Sequence, residues 1–211
     1  MNTVLLAPLP PDFLPDLLMG VVVNFRIAIL SLLLGMMMGA PLAAGCAGQG
    51  GWRAVPRGVV ELMGAAPTFM VMFFLLNVVP RDLVLFGQAF RVSGEFAVIV
   101  SLVPYSASYV AQNGAVALQE WRRGARGAAL LLLPNLARAF FVLVMASSAG
   151  AAIGVTEGIT VIRREADHLH SLPERLRLFA IGIAVFAMLL HGGFALVSLL
   201  RRRLEARFSV R

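Results

Sequence analysis

Leu178–Leu200 reads LFAIGIAVFAMLLHGGFALVSLL, twenty-three residues without an Asp, Glu, Lys or Arg. A helix needs about 20 apolar residues to cross the hydrocarbon core of a bilayer, so this stretch predicts a membrane span. Four comparable stretches precede it, at about 17–44, 58–79, 96–118 and 128–155. The short alternating segments of a β-barrel are absent. The 211-residue chain is 59% hydrophobic and 14% charged, with a mean hydropathy of +0.85. A soluble domain is closer to half apolar and a quarter charged, so the composition agrees with the segments. The expected fold is all-α: one transmembrane domain over residues 1–211, a bundle of about five helices with no separate soluble domain.

The eighteen basic residues are all Arg, and the net charge is +7. They flank the apolar runs, which marks them as topology signals rather than a nucleic-acid patch. With the N-terminus outside, the cytoplasmic pieces 45–57, 119–127 and 201–211 hold ten arginines against Glu120 and Glu205. The outer pieces hold six arginines against eight acids. The positive-inside bias therefore predicts N-out and C-in. No positively charged leader precedes the first run. The outer connector 156–177 is long and charged, and it predicts a short amphipathic helix ended by Pro173.

Within the spans, Gly35 with Gly39 and Gly150 with Gly154 have the spacing that lets helices approach closely in lipid. Pro67, Pro104 and Pro134 are expected to kink or break their helices. Arg26 is placed to snorkel to the headgroups. Glu61 and Arg138 are close enough to the cytoplasmic side to pair with each other. His191 is an ionisable group inside the fifth span and hence a functional candidate, its rival role being a neutral imidazole bonded to a neighbouring helix.

Catalytic constellations are missing: no HExxH, GxSxG, P-loop or paired-cysteine spacing occurs. Cys46 is the single cysteine, so no intramolecular disulfide can form. His168 and His170 beside Asp167 read as solvated loop residues rather than metal ligands. No metal or cofactor is expected.

Five motifs, met in order, resemble the permease subunits of ABC importers for polar amino acids of the histidine/glutamine type. They are GVVVNFRIAILSLLLGMMMG (Gly20–Gly39), ELMGAAPTFMVMFFL (Glu61–Leu75), SASYVAQ (Ser106–Gln112), LPNLAR (Leu133–Arg138) and IGVTE (Ile153–Glu157). The resemblance runs from about Gly20 to Arg203. It implies a type I importer permease fold and a multi-pass protein of the bacterial inner (cytoplasmic) membrane. It also implies a second permease subunit, a cytoplasmic ABC ATPase that carries the chemistry, and an extracytoplasmic solute-binding protein. The chain itself is then not an enzyme.

The departures are informative. In the family a cytoplasmic loop carries an EAA–Gly motif and a coupling helix that docks into the ATPase. Here the corresponding stretch is WRRGARGAALLLLP (Trp121–Pro134). Ala128 and Ala129 match the alanines, but Gly127 stands at the Glu position. The stretch is also short by roughly a dozen residues, or ~18 Å of helix. Candidate ATPase-coupling residues are Arg122, Arg123, Gly124, Arg126, Gly127, Ala128 and Ala129. The following span is shorter too, and Met145-Ala146 replaces the family's Lys-Asp. The outer acidic position of the third-span signature is Gln112.

Candidate solute-path residues are Tyr105, Ser106, Ser108, Tyr109, Gln112 and Asn113, with Ser147, Ser148 and His191. Tyr105, Ser108 and Gln112 share one helix face. The rival role for these groups is interhelical hydrogen bonding. Three functions are compatible with this reading. The chain is a permease subunit, in a heterodimer whose second permease supplies the ATPase coupling. Alternatively it is a degenerate permease serving as a membrane adaptor without its own transport pathway, or an unrelated small membrane enzyme or assembly protein.

Overall fold

The computed structural model describes residues 11–78, 82–85, 88–130 and 132–208. Helix α1 (Phe13–Cys46) runs for thirty-four residues; Pro15 falls in its first turn, where a missing N–H is harmless, and Pro41 near its end. It ends where Gly48, Gln49 and Gly50 follow, Gly50 at a φ of 89°. A 3₁₀ turn leads into α2 (Ala54–Ala65), and α3 (Thr68–Val78) follows.

The apolar segment 58–79 is therefore not one straight rod. Its two halves meet at 86°. Pro67 removes a donor and disfavours the helical region for the residue before it, and Ala66 is extended at φ −66°, ψ 119°. The connector that follows, for which the sequence predicts no element, forms a two-stranded antiparallel hairpin. Its strands are β1 (Asp82–Leu85) and β2 (Gln88–Arg91).

Helix α4 (Gly94–Arg122) starts at Ser93, whose hydroxyl accepts from the Phe96 N–H at 3.1 Å. It is the hub of the bundle, packing on α1 over much of its length and also on α2, α3 and later elements. A five-residue helix α5 (Arg126–Leu130) and α6 (Leu132–Ser147) follow, and a 3₁₀ segment (Ser148–Ile153) continues α6. Leu132–Ile153 is long and apolar enough to cross a membrane.

The outer connector folds as α7 (Gly158–Asp167), an amphipathic helix with Val161, Ile162 and Ala166 buried. Pro173 does not end it. α7 stops at Asp167, and Pro173 falls in the first turn of α8 (Leu172–Phe208), where a missing N–H is harmless.

Among the described residues four helices are long and apolar enough to cross a membrane, and the bent pair, taken as one broken span, would bring the number to five. The bundle surface is correspondingly apolar: Met19, Met37 and Ile183 are about two-thirds exposed or more, at 68%, 74% and 67%. Lipid tails are as apolar as leucine, so close backbone approach and interhelical hydrogen bonds must supply the association. Gly35 and Gly39 provide the approach. A Cβ on Gly35 would collide with the Ser106 side chain, and one on Gly39 would lie 2.6 Å from the Ala107 carbonyl oxygen.

The second GxxxG pair behaves differently. Gly150 and Gly154 lie in the 3₁₀ segment and its cap, and Gly154 is there for its φ of 82°, not for helix contact. Arg26 does more than reach for the headgroups: its guanidinium pairs with Glu95 of α4.

Candidate functional site

The polar residues of α4 divide among three neighbours. Ser106 turns to α1, where its Oγ is buried beside Gly35 and is the only buried polar side-chain atom among the described residues without a hydrogen-bond partner. Ser108 and Gln112, one turn apart, face α2. The Gln112 Nε2 donates to Ser108 Oγ at 3.0 Å, and Ser108 Oγ donates to the Val60 carbonyl at 2.9 Å. Gly64 of α2 makes room, since a Cβ there would sit 2.7 Å from Ser108 Oγ.

Asn113 turns towards α6. Asn113 Nδ2 donates to the Tyr109 carbonyl at 2.9 Å and its Oδ1 accepts from Asn135 at 3.0 Å. The Tyr105 and Tyr109 rings lie 6.2 Å apart, centroid to centroid.

Gln112 opens into a cleft of about 530 Å³ between α1, α2 and α4. Its wall also carries Arg57, Glu61, Gln119 and Cys46. One guanidinium and one carboxylate thus border a single cleft, and among the described residues no ion pair joins them. The Glu61–Arg138 pairing does not form: Arg138 lines a different cleft, between α6 and α8. The charges of Arg57 and Glu61 are separated by one turn of α2, and neither contributes to the packed core.

Ser147 and Ser148 are not on the α4 face. They belong to a buried cluster that the sequence reading missed, centred on Asn24 of α1. Asn24 Nδ2 donates to Ser147 Oγ at 2.8 Å, to Glu157 Oε2 at 3.0 Å and, at 3.5 Å, to Ser148 Oγ. Its Oδ1 accepts the Gly158 N–H at 3.1 Å. Glu157, completely buried, caps α7 by accepting from the N–H groups of Ile159 at 3.1 Å and Thr160 at 2.9 Å. A helix N-terminus is where a carboxylate is best tolerated. The legible signals are the Asn in an apolar run and the Glu two residues before IT in VTEGIT.

His191 is exposed on α8, away from the α4 face, and donates to no neighbouring helix among the described residues. His168 caps the end of α7 and is exposed, as is His170. No group of three or more His, Cys, Asp or Glu able to hold a metal occurs among the described residues.

At the end of α4 two of the coupling candidates make contacts within the chain. Arg122 Nη1 donates to the Ala47 carbonyl at 2.9 Å, at the C-terminus of α1, and Arg123 Nη1 pairs with Glu120 at 2.9 Å. Gly124 turns the chain at a φ of 85°. Gly127 and Ala129 sit in α5, while the side chains of Arg126 and Ala128 lie outside the described residues. Ala129, Leu130, Leu132 and Leu133 face an apolar cavity of about 450 Å³ together with Trp121 and Leu118.

Over 91% of its length the chain superposes on 95% of a chain in the crystal structure of an amino acid ABC transporter with histidines, with a TM-score of 0.67 and 18% identity. The two chains share a fold. No protein-family model matches the sequence, and no curated protein matches it in sequence. The expected all-α bundle is the architecture observed, and it is shared with that transporter chain.

Proposed function

We propose that the chain is a membrane permease subunit of an ABC importer for amino acids or a related small polar solute. The observation that carries this reading is the shared fold, which spans nearly the whole of both chains. The α4 face supports it. The cleft at Gln112 is large enough for a small solute, and its Arg57 and Glu61 complement a zwitterion's two charges.

In this reading the N-terminus is outside and the C-terminus cytoplasmic, in a bacterial inner membrane. ATP hydrolysis belongs to a partner ATPase, and an extracytoplasmic binding protein delivers solute. Closure of the ATPases swings the bundle between inward- and outward-facing forms as a rigid body. A second permease subunit, paired with this chain as a heterodimer, supplies the coupling helix. That assignment rests on α5, which at five residues is under two turns, and on Arg122 and Arg123 being committed to Ala47 and Glu120.

Those same observations favour one alternative, a membrane adaptor that keeps the fold without conducting solute. Co-purification separates the partner requirements. A tagged chain is expected to retain the ATPase only when the second permease is co-expressed. Retention of the ATPase by this chain alone would contradict the division of labour, and no ATPase under either condition would contradict the importer reading. Reporter fusions are expected to place the two termini on opposite sides of the membrane. Termini on one side would sink the orientation.

A further inference from the structure

Between α6 and α8, where the apolar part of α8 gives way to Arg201, Arg202 and Arg203, lies a cleft of about 330 Å³. Arg138 enters from α6 and Arg201 from α8, with Asn135 and Ser198 beside them and Phe194 and Val197 on the apolar wall. Above it the helices close, because Gly193 lets the Phe141 ring lie against α8 and Phe141 stacks at 5.3 Å on Phe194.

Arg138 is six residues inside α6, about 9 Å along the helix, in a segment otherwise apolar enough to span. An arginine there is costly unless its charge is met. Among the described residues it makes no ion pair, and no Asp or Glu lines the cleft. Arg201 touches Glu205 at 2.8 Å through one nitrogen, on the exposed side of α8, which leaves its other donors available. Leu196 and Leu199, flanking Val197 and Ser198 on α8, are more than half exposed, so the cleft lies on a helix with a lipid-facing surface.

We propose that this cleft binds the phosphate of an anionic glycerophospholipid, held by Arg138 and Arg201, with the start of the acyl chains lying on Phe194 and Val197. Two guanidiniums at the boundary between apolar and charged helix are suited to a phosphate at headgroup depth. The apolar wall distinguishes a lipid from free phosphate. The assignment needs the spans but not the importer reading, so binding can be tested without transport.

The test is native mass spectrometry of the full chain in detergent, titrated with phosphatidylglycerol or phosphatidylcholine of the same acyl chains. Phosphatidylglycerol is expected to bind preferentially, and Arg138→Gln to weaken that preference at least about fivefold. Arg138→Lys should keep most of it, and Arg202→Gln, in the same arginine run but outside the cleft, should leave it unchanged. Arg201→Gln, at the exposed end, gives the same reading if Arg138→Gln does not fold. Equal affinity for both lipids, or an unchanged preference in both Gln variants, overturns the proposal. If inorganic phosphate competes as well as intact phosphatidylglycerol, the site takes a free anion and the lipid assignment falls.

Discussion

Gly39→Leu is expected to leave little correctly folded chain, seen as loss of the monodisperse peak in detergent size-exclusion chromatography. A Cβ at residue 39 would lie 2.6 Å from the carbonyl oxygen of Ala107 and 2.8 Å from Val110 Cβ. The nearer obstacle is backbone, which cannot rotate away, so α1 and α4 must separate. Overpacking a tight core costs about 1–3 kcal/mol, and a leucine adds a whole side chain beyond that first collision. The α1–α4 contact is the largest in the bundle. In lipid no hydrophobic gain draws the two helices back together once their approach is lost. Gly192→Ala is the control. A Cβ there meets nothing within 4 Å, and the extra helix propensity makes the change neutral or stabilising by up to about 1 kcal/mol. Equal yields for Gly39→Leu and wild type would show that the α1–α4 contact is not what holds the bundle.

Asn24→Leu is the second large effect, a loss of about 3 kcal/mol read as a lower thermal midpoint in detergent. A single interhelical hydrogen bond in a membrane averages only about 0.6 kcal/mol, so counting bonds lost would underestimate it. The larger contribution is what remains behind. Glu157 keeps a fully buried carboxylate with one donor fewer, and the Gly158 N–H loses its acceptor. Each buried group left unsatisfied costs about 1–3 kcal/mol. The damage should be local to the joint between α1, α7 and the 3₁₀ segment. Glu157→Gln retains a single acceptor oxygen, enough for the Thr160 N–H or for the Ile159 N–H and Asn24 but not for both, and is expected to lower the midpoint as well. If Asn24→Leu stayed within about 0.5 kcal/mol of wild type, the cluster would have no structural weight.

These two sites show what the amino-acid order discloses. Gly35 and Gly39 are local: two glycines four positions apart on one helix face declare a close approach before the partner is known. The Ser108–Gln112 stripe is equally local, one turn apart on α4, and its hydrogen bond follows from helical geometry. The length and charge of Leu178–Leu200 place α8 for the same reason.

Asn24 and Glu157 are 133 residues apart, and no periodicity encodes their meeting. Pro67 announces a break, but its 86° angle depends on how α2 and α3 each pack on α4. Gly154 illustrates the opposite failure. Its spacing from Gly150 imitates a helix-packing motif, while its backbone conformation makes it a cap.

The polar residues chosen for a solute path separate in the same physical terms. Those on α4 are gathered by one helix but turn to α1, α2 and α6, with Gln112 at the cleft beside α2. Ser147 and Ser148 are consumed by Asn24, and His191 points away. Arg57 and Glu61 join Gln112 only because the bend at Pro67 lays α2 beside α4.

ATP-driven uptake of a labelled polar amino acid by proteoliposomes containing the assembled ATPase, both permeases and the binding protein tests the permease role most directly. Uptake is expected to collapse when this chain is omitted, and to fall sharply when Tyr109 and Gln112 are both replaced by Ala in a chain that still assembles. Undiminished uptake in vesicles lacking the chain would contradict the claim that it forms part of the solute's route.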